Sequence, residues 1–306
     1  MIARLIKAQQ VSLSVVCTVA LSFWGSSSLA GDPFRSNNPR PIGDQTEAAF
    51  EAIFHEGNYK EAQVYLEKAT QTEADEPLAH AMKASLAYSN EDFETMKTYG
   101  DKTLSAAQKL TSKDPLRGNL YQAVGHFLQG AYTFKTKGPL GAVNKLQQVF
   151  DYLERAENIA PDDPELNLLK GYLDLILSVN LPFSSPEDAI TRFEKYAAPD
   201  YMVSRALSAA YRDLEKYDTA MQYIDKSLET SPDNPEIQYL KGQLLRKQGR
   251  MTMDIALLKE ADTYFEKAMV KVEQLSEGVQ IPLRHDHQAV KDEIAKLAAN
   301  PNLDKF

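Results

Sequence analysis

The feature that most constrains this chain is the stretch Tyr201 to Asn234, YMVSRALSAAYRDLEKYDTAMQYIDKSLETSPDN. It reads as two short amphipathic helices, with a tight turn near Glu215–Tyr217 and a break at Ser231–Pro232. Counted from Tyr201, Leu207 stands at position 7, Tyr211 at 11, Tyr217 at 17, Ala220 at 20, Ile224 at 24 and Pro232 at 32. The next unit opens at Pro235, a full 34 residues on. A unit of this size cannot bury its apolar face alone, so it must stack against copies of itself.

The same ruler fits elsewhere. From Gly43, Gly57 falls at 15, Tyr59 at 17, Ala62 at 20, Leu66 at 24 and Ala69 at 27, within EGNYKEAQVYLEKA. A degenerate second unit starts at Pro77, with Ala84 at 8, Phe93 at 17 and Met96 at 20. A third, counted from Gly118, carries about twelve extra residues between its halves, around Lys137-Gly138-Pro139. The fourth, from Pro164, carries about six around Asn180-Leu181-Pro182, and the sixth about seven between Gly249 and Ala261. Leu283 to Ala298 reads as a helix covering the exposed end of the stack. No segment alternates with period two for long enough to be a strand.

These spacings resemble the tetratricopeptide-repeat (TPR) family, and more narrowly its exported bacterial members of a sensor type. The resemblance covers about Gly43 to Glu277. It implies an all-α solenoid, a right-handed superhelix of helix-turn-helix units with a C-terminal capping helix. The chain divides into a signal peptide (1–30), a flexible leader (31–42), repeats 1–2 (43–110), repeats 3–4 with inter-helix insertions (111–200), repeats 5–6 (201–276), and cap and tail (277–306).

Arg4 and Lys7, the apolar run Val11 to Phe23 and the small-x-small site Ser28-Leu29-Ala30 have the order of a secretory leader. A retained membrane anchor, or lipidation at Cys17, is the alternative. Cleavage after Ala30 would leave 276 residues without Cys or Trp and move the net charge from −9 to −11. Stability must then come from packing without disulfides. So acidic a chain lacks the clustered Lys and Arg that nucleic acid demands, and an anionic membrane surface would repel it. The expected location is a periplasm or another extracytoplasmic lumen.

Catalytic signatures are missing. No HExxH, phosphate-binding Gly-rich loop, calcium loop or G-x-S-x-G elbow occurs in the sequence, and the mature chain has no thiol. No enzyme, metal or cofactor is therefore expected. Arg284-His285-Asp286-His287 reads as a polar turn before the last helix. Asp162-Asp163-Pro164-Glu165 and Pro232-Asp233-Asn234-Pro235-Glu236 read as capped turns between repeats.

In TPR proteins the first helix of each unit lines a concave groove through positions 2, 5, 9 and 12. Projected here, the rule selects Tyr88, Gln122, His126, Tyr172, Arg205, Arg212, Tyr239 and Arg246 as partner-binding residues. The three arginines, with Lys247, form a basic patch suited to a partner's carboxylates, which Arg holds bidentately. The alternative is that they pair with the chain's own acids. No unit has Lys at 5 with Asn at 9, so the co-chaperone type of carboxylate clamp is not expected. The insertions fall between the two helices of a repeat and mark one edge of the solenoid as a second binding face. The resemblance implies an exported, non-catalytic scaffold for a protein or peptide partner. Alternatives are a small-molecule or peptide receptor using Tyr172, Tyr239 and the arginines, and a membrane-associated assembly factor if the leader is retained.

Overall fold

The computed structural model describes residues 31–180 and 186–299, so residues 1–30, expected to be a signal peptide, and the tip of the fourth unit's insertion lie outside the described residues. Thirteen α-helices are described, and no strand accompanies them. They run in antiparallel pairs: α1 (Asp44–Phe50, continued by a π-helical turn Glu51–His55) with α2 (Tyr59–Thr72), α3 (Pro77–Ser89) with α4 (Phe93–Leu110), and α5 (Pro115–Lys137) with α6 (Pro139–Ile159). The series goes on with α7 (Pro164–Asn180) and α8 (Pro186–Lys195), α9 (Asp200–Asp213) and α10 (Tyr217–Thr230), and α11 (Pro235–Thr252) and α12 (Ile255–Val270). A short 3₁₀ turn, Val272–Gln274, leads into the final helix, α13 (Glu277–Ala299).

Local chemistry explains the punctuation. Proline occupies the first turn of α3, α5, α6 and α11, where its missing N–H and fixed φ cost nothing. Glu76, Asp114, Asp163 and Asn234 accept from backbone N–H groups of the helices they precede. Each described turn inside a hairpin holds one left-handed residue: Gly57, Glu91, Gly138, Glu215 or Met253. Fully buried alanines sit where helices touch, among them Ala62, Ala69, Ala220 and Ala268.

Two expectations need correction. The extra residues of the third and sixth units do not form loops. They lengthen the helices, to 23 and 21 residues in α5 and α6 and to 18 in α11. The leader 31–42 is not free either, because Phe34, Arg35 and Ile42 are buried. Phe34 packs edge-on against Phe50 at 5.2 Å, and Arg35 lies across the helix starts of the middle units.

The stack also closes on itself. Asn234 Nδ2, at the start of the sixth unit, donates to the carbonyls of Phe54 (3.3 Å) and His55 (3.1 Å) in the first. His55 Nε2 faces the Thr230 carbonyl at 3.0 Å, and the Tyr59 hydroxyl donates to Glu236 at 2.9 Å. Gly57 makes this approach feasible. Its φ is +66°, and an added Cβ would stand 2.7 Å from Asn234 Oδ1 and 2.9 Å from Pro235 Cδ.

Candidate functional site

The groove predicted from the repeat register is largely filled by the chain itself. Arg35 donates to Asp163 (2.7 and 2.8 Å), Glu165 (2.9 Å) and Asp32 (3.0 Å). Arg117 reaches Glu76 at 3.0 Å and Glu165 at 3.4 Å, and the Tyr121 hydroxyl donates to Glu165 at 2.6 Å. Arg40 pairs with Asp114. The helix-capping carboxylates Glu76, Asp114 and Asp163 thus each hold an arginine as well as a backbone amide. Burial opposes charge on Arg35, but the surrounding carboxylates outweigh it and raise its pKa. Burial and the Glu165 charge together push the Tyr121 hydroxyl well up.

The basic patch is spoken for in the same way. Arg205 pairs with Glu236 at 2.8 Å, and Arg212 with its neighbour Asp213 at 2.9 Å. Arg246 is held by Asp286 (2.9 Å) and Glu293 (2.7 Å) of α13. Tyr239 donates to Asp286 at 2.7 Å, and Gln243 to the same carboxylate at 3.3 Å. Burial raises the Asp286 pKa, yet these two hydrogen bonds and the Arg246 charge leave it below the ordinary carboxylate value. The capping helix therefore occupies the positions of the sixth unit that the register assigns to a partner. Of the patch Lys247 is exposed and Arg212 keeps a side chain 36% open, while Arg246 is the most enclosed.

Gln122 and His126 need a different correction. Gln122 donates to Thr111 Oγ1 at 2.9 Å, and His126 stacks on Tyr152 of α6 at 5.3 Å. Both are buried between neighbouring helices and do not line a groove. The cause is a phase difference. In the fourth and sixth units Gly171 and Gly242 abut Phe193 and Phe265 of their own hairpins, whereas Gly125 abuts Leu104 of the preceding helix. Tyr172 is half-buried, its ring set edge-on to Phe193 at 5.5 Å and its hydroxyl 3.4 Å from the Met202 carbonyl.

Tyr88 is the exposed exception, and it stands at the edge of a surface that the register misses. Lys135 lies 5.8 Å from its ring centre and 5.9 Å from that of Phe93. From Pro115 to Phe150 the chain has no Asp or Glu, although it contains 43 of them in all. The outer part of the α5–α6 hairpin carries Lys135, Lys137 and Lys145. It also exposes Phe134 (54%), Leu140 (91%) and Val143 (58%). The signal was present in the sequence as a long acid-free run, which a search for repeat positions passes over.

A separate open cavity of about 590 Å³ lies at the turns of the fifth and sixth units, lined by Tyr217, Gln248, Met251 and Leu257 among others. The residues named for a small-molecule receptor, Tyr172 and Tyr239, do not line it. Among the described residues no helix is long and apolar enough to cross a membrane.

The family model described as "Tetratricopeptide repeat" matches residues 206–234. No curated protein sequence matches the chain significantly. Among solved structures, the chain is similar to a thermophilic TPR protein of Thermus thermophilus, at 17% identity and a TM-score of 0.44, over 63% of this chain and 93% of that one. It is similar to PilW, a widely conserved type IV pilus biogenesis factor, at 19% identity and a TM-score of 0.41, over 72% of this chain and 96% of that one. A third similarity, to the APC/C hetero-tetramer Cut9-Hcn1, has 14% identity and a TM-score of 0.43, over 80% of this chain and 42% of that one. Residues 206–234 are thus a tetratricopeptide repeat, set inside a stack of helical hairpins.

Proposed function

We propose that the chain is an exported, non-catalytic scaffold that holds a protein or peptide partner on the outer part of its third hairpin. Tetratricopeptide arrays are protein-interaction scaffolds, and the leader-like order of residues 1–30 supports export. The observation that carries the location is the pairing of exposed apolar side chains with lysines on an acid-free stretch of sequence, in a chain of net charge −9. Exposed apolar residues on a protruding element mark interaction sites, and lysines beside them favour carboxylates. The partner segment is acidic and amphipathic, laying apolar residues over Phe134, Leu140 and Val143 and carboxylates beside Lys135 and Lys137.

Cross-linking from Lys135 and Lys137 in the exported compartment, read by mass spectrometry, tests this. The captured segment is acidic, and its capture is lost in the triple change Phe134→Ser, Leu140→Ser, Val143→Ser. Changing Arg205, Arg212 and Arg246 to Glu leaves capture intact. Capture of a basic segment, or loss only with the arginine changes, overturns the assignment, as does a surface that binds anionic vesicles and no protein.

A further inference from the structure

The string Arg284-His285-Asp286-His287 is not a turn but part of α13, whose helical geometry sends its two histidines to different faces. The side chain of His285 is 79% exposed. His287 faces α12, where Asp262 and Glu266 lie one helical turn apart.

His287 Nε2 and Asp262 Oδ1 stand 3.1 Å apart. Both atoms are shielded from solvent, and although the distance suits an ion pair, neither makes a hydrogen bond of acceptable geometry. A carboxylate oxygen of Glu266 completes a group whose three donor atoms all lie within 4.8 Å of one another. Two donors bound at about 2.0–2.2 Å to one tetrahedral ion stand roughly 3.4 Å apart. The spacing of the buried pair is therefore close to that of two ligands aimed at a shared cation.

We infer that Asp262, Glu266 and His287 form a site for a divalent transition-metal ion, with Zn²⁺ the best match. An imidazole nitrogen in the donor set disfavours Ca²⁺ and Mg²⁺, which take oxygen ligands. Water fills the fourth position, on the side where Glu266 is exposed. Phe265 packs against the His287 ring at a centroid distance of 6.4 Å, so an apolar wall backs the nitrogen ligand. Lys291 Nζ lies 3.8 Å from Glu266, but both side chains are open to solvent, and such a pair yields readily to a metal. The ion ties α13 to α12. Its effect reaches the sixth unit's groove face, because the adjacent Asp286 is the residue that holds Tyr239, Gln243 and Arg246.

The test uses the untagged full chain, stripped with a chelator and titrated with ZnCl₂ by calorimetry. One Zn²⁺ binds per chain, Ca²⁺ does not compete, and zinc-edge X-ray absorption reports one imidazole nitrogen with oxygen donors. Asp262→Asn, Glu266→Gln and His287→Gln each weaken binding by more than the roughly tenfold that even outer-shell changes cost, whereas His285→Ala leaves it unchanged. Zn²⁺ raises the melting temperature of the unaltered chain and of His285→Ala, but not of Glu266→Gln, whose exposed side chain is a mild change to the fold. Failure of the stripped chain to take up Zn²⁺ overturns the site, as does equal affinity in Glu266→Gln or loss of binding in His285→Ala.

Discussion

The two ends of the array neutralise the chain's own charges with opposite polarity. At the N-terminal end a basic leader meets acidic helix starts, and the Arg35 side chain is only 6% exposed among Asp32, Asp163 and Glu165. At the C-terminal end an acidic helix meets basic groove residues, and Arg246 with its partners Asp286 and Glu293 remains 16–21% exposed. Burial separates the two arrangements more than geometry does. Removing one member of a buried pair strands a charge, and the same change near solvent lets water take the vacated place. The leader thus locks the fold, and the cap covers it.

The difference can be broken by substitution. The largest effect is expected for Arg35→Ala, which should lose about 3–5 kcal/mol of unfolding free energy by leaving the buried Asp163 without its cation and Glu165 with Arg117 alone. Denaturant melts measure it, and Arg35→Met, which keeps the side-chain volume without the charge, should fall as far. Ring closure comes next. Gly57→Ala combines a left-handed backbone with a clash on Asn234 and should cost about 2 kcal/mol. Amide exchange in α1 and at the start of α11 should accelerate together.

At the cap, Asp286→Ala removes an acceptor shared by Tyr239, Gln243 and Arg246. A loss of about 1.5 kcal/mol follows from charged hydrogen bonds at a partly open site, and it should be clearly smaller than for Arg35→Ala. An equal loss would mean that both ends lock the fold. Glu215→Gly should gain about 1 kcal/mol, since φ is +59° there and the side chain is exposed. The smallest effect is on pH. Burial lowers the pKa of both His80 and His126 from the ordinary 6.5. The unfolded chain then binds more protons than the folded one below that value, so stability is complete above it and declines as pH falls towards 5. Replacing His126 with Gln should flatten that decline in melts at pH 7 and pH 5.

The repeat ruler was readable where nothing interrupts it. In the fifth unit Ala220 and Ile224 are fully buried, and Glu215 turns the chain at the place the spacing indicates. The third unit kept its hairpin but lost its phase, because Gly125 packs on Leu104 and not on its own partner helix. That shift turned Gln122 and His126 inward. The leader was harder still. GDPFRSNNPRPIG has the composition of a loop, and the partners that order Arg35 lie 128 and 130 residues away. Composition and local periodicity carry no trace of a contact at that range. The same holds for the arginines, whose residue types were legible and whose internal acidic partners were not.

The bond from Asn234 to the carbonyls of Phe54 and His55 has a consequence for how the chain comes to be folded. Open repeat stacks gain stability unit by unit from neighbours in sequence, and they fold quickly because their contacts are local. Here the first hairpin finds its seat about 180 residues downstream. A chain emerging from its N-terminus must therefore carry that hairpin half-dressed until the sixth unit follows. Once the ring is shut, fraying from either end first has to open it.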